Sequence, residues 1–440
     1  MANKETRSTH RTRDRSAQLS PDAESMVAAA LGLAHSGSRS EDRFWEAQLS
    51  RLIDRSLDSP HGSSLSSALE RLNQTDGEAY AALIESAEHA AESIDEATMP
   101  RRPEAQPYFG LLVSAPLVVW TRFAIPAGVI PAPVAEQLAQ IWRDLVLAPG
   151  VGFRMLPWLY SLDQMPREFS ELRRLTRRLT NAARGQSEPR IDFRSLPDSA
   201  EMLADTRFLI GAVTAADPLQ PLFRWQLSAV AGAGASGRGG AVAAATAAGA
   251  GVATGTTVAA AGTGQTRVQC LEQWVARARP LIEPLLPGCG FECLLPDAYH
   301  INLRESDRRV RPYAINAAVH SLTHALSIEA PRIRATIAAF GDERIDEYRI
   351  GLTVDDAEEV VRGVVWPLLG SESELDEPSP VDRIREVLRE AGIEHIRVWS
   401  DVTEPEFCED CGAPLYPNPA NEIVHVETPE EPAAGNAHFH

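Results

Sequence analysis

Cys408 and Cys411 stand two residues apart in FCEDCGAPLYPNP, residues 407–419, and Gly412 follows directly. Two thiolates at this spacing can reach one metal ion across a tight turn, and the glycine permits a backbone that aims N–H groups at sulfur. The chain has no second CxxC, so the other ligands of a zinc ion would come from His425, His438 or His440, or from another chain. We expect zinc at Cys408, Cys411, His425 and His438. A redox role fits less well, because Glu409 and Asp410 disfavour a thiolate and no βαβ context surrounds the pair. Two reduced cysteines without an ion are the bland alternative.

Other pairs invite chemistry and give less. Cys289 and Cys293 lie in a segment that has a relative earlier in the chain, where the matching residues are the apolar Val151 and Met155, so core packing is expected. Cys270 sits beside Leu271 and Trp274 and is read the same way. His320 and His324 are four apart on a helix, as in metalloproteases, but Ser321 stands where those helices carry their glutamate. Helix histidines with ordinary partners are the better expectation.

A charged stretch after Tyr299 holds His300, Arg304, Glu305, Asp307, Arg308, Arg309 and Arg311. Read as a loop after a strand, it offers Arg304, Arg308, Arg309 and Arg311 to a small anionic molecule, with His300 as an alternative acid/base and Arg304 or Arg308 holding charge. A salt-bridged loop is the competing reading. No phosphate loop, nucleophile elbow or dinucleotide fingerprint is present.

The elements that must position these residues come from a repeat. PGVGFRM-LPWLY, residues 149–160, recurs as PGCGFECLLPDAY, residues 287–299, and VSAPLVVWTRF, residues 113–123, pairs with VTAADPLQPLFRW, residues 213–225. The second unit is the longer by an Ala/Gly/Thr tract at 229–264, expected to be a disordered insertion. Strands alternate with helices in both units, which predicts an α/β fold: internally duplicated βαβα units forming a mixed sheet with helices. The first repeat is placed at 106–185, with helices near 134–147 and 167–183, and the second at 204–330.

Residues 1–19 form a basic, nearly apolar arm expected to be disordered. An N-terminal helical segment follows over 20–100: Ser20, Pro21, Asp22 and Glu24 make a strong helix start, and helices are expected to about 35 and over 41–55, 64–73 and 76–93. The four arginines Arg173, Arg174, Arg177 and Arg178 line one side of a helix, where acidic groups of the same chain can meet them. A C-terminal α+β extension spans 331–402, with strands at 333–340, 348–353 and 395–399, helices at 355–369 and 381–390, and Gly392 closing a helix. A Cys-containing acidic tail spans 403–440.

At 440 residues with a net charge of −19, the chain can bury a large core and repels phosphate, which argues against a nucleic-acid or anionic-membrane partner. Five cysteines do not make a disulfide framework at this length, and the start lacks an apolar signal core, so a cytoplasmic location is expected.

Together SGSRSEDRFWEAQL, residues 36–49, APLVVWTRF, LYSLDQMPR and CEDCGAPLYPNP resemble an uncharacterised bacterial family, domain of unknown function 2863. The resemblance spans nearly the whole chain apart from the basic arm and the insertion. It implies a bacterial cytoplasmic protein without an assigned activity and brings no catalytic residues. Two functional classes stay open: a binding or regulatory protein whose partner is a protein or a small anionic molecule, and an enzyme acting on a small anionic metabolite between the repeats.

Overall fold

The computed structural model describes residues 19–59, 63–96, 108–122, 124–186, 189, 191–199, 202–227, 265–342, 344–370 and 372–426. The basic arm up to residue 18, the whole of the 229–264 tract and His438 fall outside them. The chain divides into two compact units, residues 1–91 with 168–173, and residues 92–167 with 174–440.

The smaller unit is helical. Ser20 caps α1 (Pro21–Ala34) by accepting from the Ala23 N–H, and Ser38 caps α2 (Arg39–Asp58) through the Glu41 N–H. With α3 (Ser63–Thr75) and α4 (Gly77–Glu92) they bury Met26, Leu49, Ile53, Leu72 and Leu83 in one core, joined by Phe169. Arg173 is buried and pairs with Asp54 at 2.9 Å and Asp58 at 3.5 Å, the internal pairing expected of it.

The larger unit carries the duplication. Its first repeat runs through β2 (Phe109–Trp120), β3 (Gly128–Val129), α5 (Ala132–Leu145), β4 (Gly152–Ser161) and, from Arg174 onward, α6 (Phe169–Ala183), after a short β1 (Ser93–Asp95). The second runs through β5 (Ala204–Ala215), α7 (Arg267–Ile282), β6 (Gly290–Cys293), β7 (Asp297–Ala298) and α8 (Tyr299–Ala325). These strands form one sheet in which β2 and β5 lie antiparallel at the centre over their full length. Each repeat lends its second strand to the other: β4 pairs with β5, and β6 pairs with β2.

That exchange defines a pseudo-twofold axis between β2 and β5, and it corrects the upstream alignment. Phe153 lies opposite Val213 and Phe291 opposite Val119, so the counterpart of Val213 is Val119, not Val113. The DPLQPLFRW residues that match VVWTRF in sequence lie beyond the end of β5, where similar residue types serve a connection. Phe153 and Phe291 have related surroundings. Each ring belongs to the same core, and each has an arginine of the preceding helix over its face, Arg143 at 5.8 Å and Arg279 at 4.6 Å. Trp142 of α5 and Trp274 of α7 meet edge to face at 5.9 Å, both fully buried.

The extension builds a second sheet of order β10-β9-β8-β11, from β8 (Ile333–Gly341), β9 (Ile345–Val354), β10 (Arg362–Pro367) and β11 (His395–Thr403). Here the pairing is mixed, since β11 runs parallel to β8. Alternate residues Tyr348, Ile350 and Leu352 face a core shared with α8 and with α9 (Pro380–Glu390), which ends at Gly392 with φ +89° as expected. The helix expected over 355–369 is absent: Val364 and Trp366 alternate into the core from β10, with Val361 buried just ahead of it, and β-branched residues favour that pleat over a helix. No helix among the described residues is long and apolar enough to cross a membrane.

Candidate metal centre

After β11 the chain turns back over the sheet face opposite α8 and α9. Two glycines make the seat. Gly351 and Gly363 are direct neighbours across β9 and β10, and a Cβ on the first would strike the Pro417 carbonyl, on the second the Tyr416 ring. Only hydrogen at these positions lets the small hairpin of β12 (Tyr416–Pro417) and β13 (Ile423–Val424) lie this close.

Arg349, which also faces this side, fastens the loop that carries the cysteines. Its guanidinium is fully buried, lies over Phe340 at 4.4 Å and Phe407 at 4.9 Å, and donates to the carbonyls of Glu406 at 2.7 Å and Leu415 at 2.8 Å. Its Nε donates to Glu347 at 2.6 Å. Both strands of the cysteine loop are therefore tied to one side chain. The loop closes on itself as well: the Cys408 N–H donates to Ala413 O and the Gly412 N–H to Cys408 O, both at 2.8 Å, with Gly412 at φ +71°.

At its mouth one ligand atom each from Cys408, Cys411 and His425 lies within 4.8 Å of the others, a set that can hold a metal ion. Cys411 Sγ and His425 Nε2 are 3.3 Å apart, close to the roughly 3.5 Å edge of a zinc tetrahedron with one sulfur and one nitrogen. His425 Nδ1 lies 2.8 Å from the Val426 carbonyl, which can only accept; the proton therefore belongs on Nδ1, leaving the Nε2 lone pair turned to the thiols. Among the described residues this is the one group of three or more such side chains so placed.

The other predicted residues are dispersed. The stretch after Tyr299 is not a loop but the start of α8, and it spends its charges internally. Arg311 is buried, lies over Trp366 at 4.8 Å, and grips Glu372 with two hydrogen bonds of 2.8 and 2.9 Å. Burial works against the Glu372 carboxylate, yet the Arg311 hydrogen bonds hold it below its ordinary range. Arg308 lies 3.6 Å from the same carboxylate, and Arg309 pairs with Glu305 at 2.9 Å and Glu292 at 3.3 Å. His300 is buried with its backbone N–H on Glu92; burial, aided by Arg304, pushes its imidazole down to about 4, so it is neutral at pH 7. Cys270 and Cys293 are buried in the core, and burial pushes the Cys293 thiol up to about 12, as packing cysteines require.

Asp307 is the exception on this helix. Burial pushes its carboxyl up to about 6, with Arg311 opposing and Asp205 adding to the rise. The folded group keeps its proton to higher pH than the unfolded one, so its contribution to stability is complete below about 3.8 and is lost as pH rises through 6. Asp307→Asn should therefore raise stability at pH 7.5 by on the order of 2 kcal/mol and change little near pH 4. Urea unfolding at the two pH values checks this; an equal effect at both would contradict it.

Sequence reasoning missed Arg349 and the Gly351–Gly363 seat. A lone arginine in a strand carries no mark of burial, because its carbonyl partners come from remote segments.

No curated protein and no solved structure matches the chain. A family model described as "Protein of unknown function (DUF2863)" matches residues 11–250 and 241–439, and the chain belongs to that family.

Proposed function

We propose that the protein is a binding or regulatory protein rather than an enzyme, and that a zinc ion held by Cys408, Cys411 and His425 locks its C-terminal segment onto the second sheet. His438 of the remaining tail completes the coordination in this reading. The observation that carries it is the His425 ring, whose Nδ1 lies on a backbone carbonyl while Nε2 faces Cys411. Two soft thiolates and imidazole suit zinc rather than calcium or magnesium. The role is structural, since a closed set of protein ligands leaves no position for water. A zinc-fastened surface in a duplicated scaffold serves recognition of a protein or a small anionic molecule, in the cytoplasm.

Metal analysis of the full chain, purified without a histidine tag, tests this. One zinc per chain is expected in the wild type, and its loss in Cys411→Ser. Absence of zinc from both would end the reading.

A further inference from the structure

We propose that a cleft beside α8 binds a small organic anion that carries a flat ring. The cleft measures about 840 Å³ and lies where β2 ends and β6 begins, under the C-terminal half of α8 and the end of α9. That volume falls in the range of small-molecule sites.

The counterpart of this place in the first repeat is built differently. Gly290 opens β6 as Gly152 opens β4, and the two are counterparts in the repeat. A Cβ at Gly152 would meet Thr214 Oγ1 and, beside it, the carbonyl of Ala183 at the end of α6. A Cβ at Gly290 would likewise strike the indole of Trp120, the counterpart of Thr214, but no helix-end carbonyl is among its nearest atoms, and Gly290 lines the cleft. Moreover α8 has 27 residues where α6 has 15, so it continues past the sheet and overhangs the opening. The end of α6 closes on Gly152 in the first repeat, whereas Gly290 of the second lines a hollow.

The lining has the chemistry of a ring-bearing anion. Trp120 and Tyr313 stack at 4.1 Å and 5°, giving a flat aromatic wall. Arg122, His320 and His324 bring basic groups, against one lining carboxylate, Glu390. Asn316, His320 and His324 recur along one face of α8 in steps of four residues, and among the described residues their side chains make no hydrogen bond or ion pair. A helix whose other faces pack on two sheets thus presents unspent donors to a hollow. A ring against the aromatic wall and an acidic group among Arg122, His320 and His324 satisfy both parts at once. The site shares no residue with the metal centre or with Arg304, Arg308 and His300.

Calorimetric titration of the full chain tests this with three ring-bearing anions, benzoate, indole-3-acetate and adenosine 5′-monophosphate, against acetate, inorganic phosphate and neutral adenosine. At least one ring-bearing anion should bind about tenfold or more tightly than its ring-only or charge-only counterpart. Binding should weaken about tenfold in the exposed-site double variant His320→Ala/His324→Ala and disappear in Ala317→Trp, which fills the hollow, while melting temperatures stay near wild type. The proposal is overturned if no ring-bearing anion outbinds its counterparts. It is equally overturned if the double variant and Ala317→Trp, folded as judged by melting, bind as wild type does.

Discussion

Arg349→Ala is expected to cost about 3–4 kcal/mol and to free the cysteine loop from the second sheet. The substitution leaves two buried carbonyls, Glu406 O and Leu415 O, without their donor, and leaves Phe340 and Phe407 with no cation between them. Lysine cannot rescue it, because one compact ammonium cannot reach two carbonyls and Glu347 while stacking between two rings. Arg349→Met restores apolar volume without donors and should recover only the packing part. Hydrogen exchange checks the loss: residues 406–426 should open far more readily in Arg349→Ala while protection of β2 and β5 is unchanged. Uniform loss of protection across both sheets would show that Arg349 is a general core residue and not a clasp for this loop.

Trp274→Ala should cost about 3–5 kcal/mol in urea unfolding, and Trp142→Ala a similar amount. Each indole is fully buried, and the two meet edge to face where the repeats adjoin. Trp274 also donates its N–H to Leu294 O at 2.9 Å, so its removal strands a buried carbonyl beside β6. Because the pair spans the repeats, the double variant should cost less than the sum of the singles, by about 1 kcal/mol. Strict additivity would mean that the two helices do not support each other, and the packing account of the duplication would fail. Phe44→Ala, at an exposed position, is the control and should stay within about 0.5 kcal/mol of wild type.

What the sequence disclosed followed from local chemistry. The cap at Ser20, the glycine stop at Gly392 and the tight turn at Gly412 each depend on residues a few positions apart, and each formed as read. The repeat was visible because Pro, Gly, Phe and Tyr recur in order, although its strand register was not, since similar residue types in a strand and in a loop match equally well. The start of α8 read as a loop because its buried face there is polar: Asn302, Ser306 and Arg311 occupy positions where an amphipathic helix shows apolar residues, and Ile315 is the first aliphatic among the buried ones. The acids Asp355, Glu358 and Glu359 imitated a helix start ahead of β10, and only the alternation of Val364 and Trp366 against the core overrides them. The candidate metal centre was legible in Cys408, Cys411 and His425, which the structure groups, because CxxC is a local signal and few histidines follow it; the expected fourth residue, His438, lies outside the described residues.

The central claim is that Cys408, Cys411 and His425 bind one ion together. Cobalt(II) substitution of the full chain reads the ligands directly, because thiolate bonds add charge-transfer absorption in the near ultraviolet and a tetrahedral site gives intense visible bands. Both signals are expected at one cobalt per chain, with a weakened charge-transfer band in Cys408→Ser or Cys411→Ser and an altered visible spectrum in His425→Ala. Cobalt that binds without a charge-transfer band, or spectra that ignore all three substitutions, would contradict it.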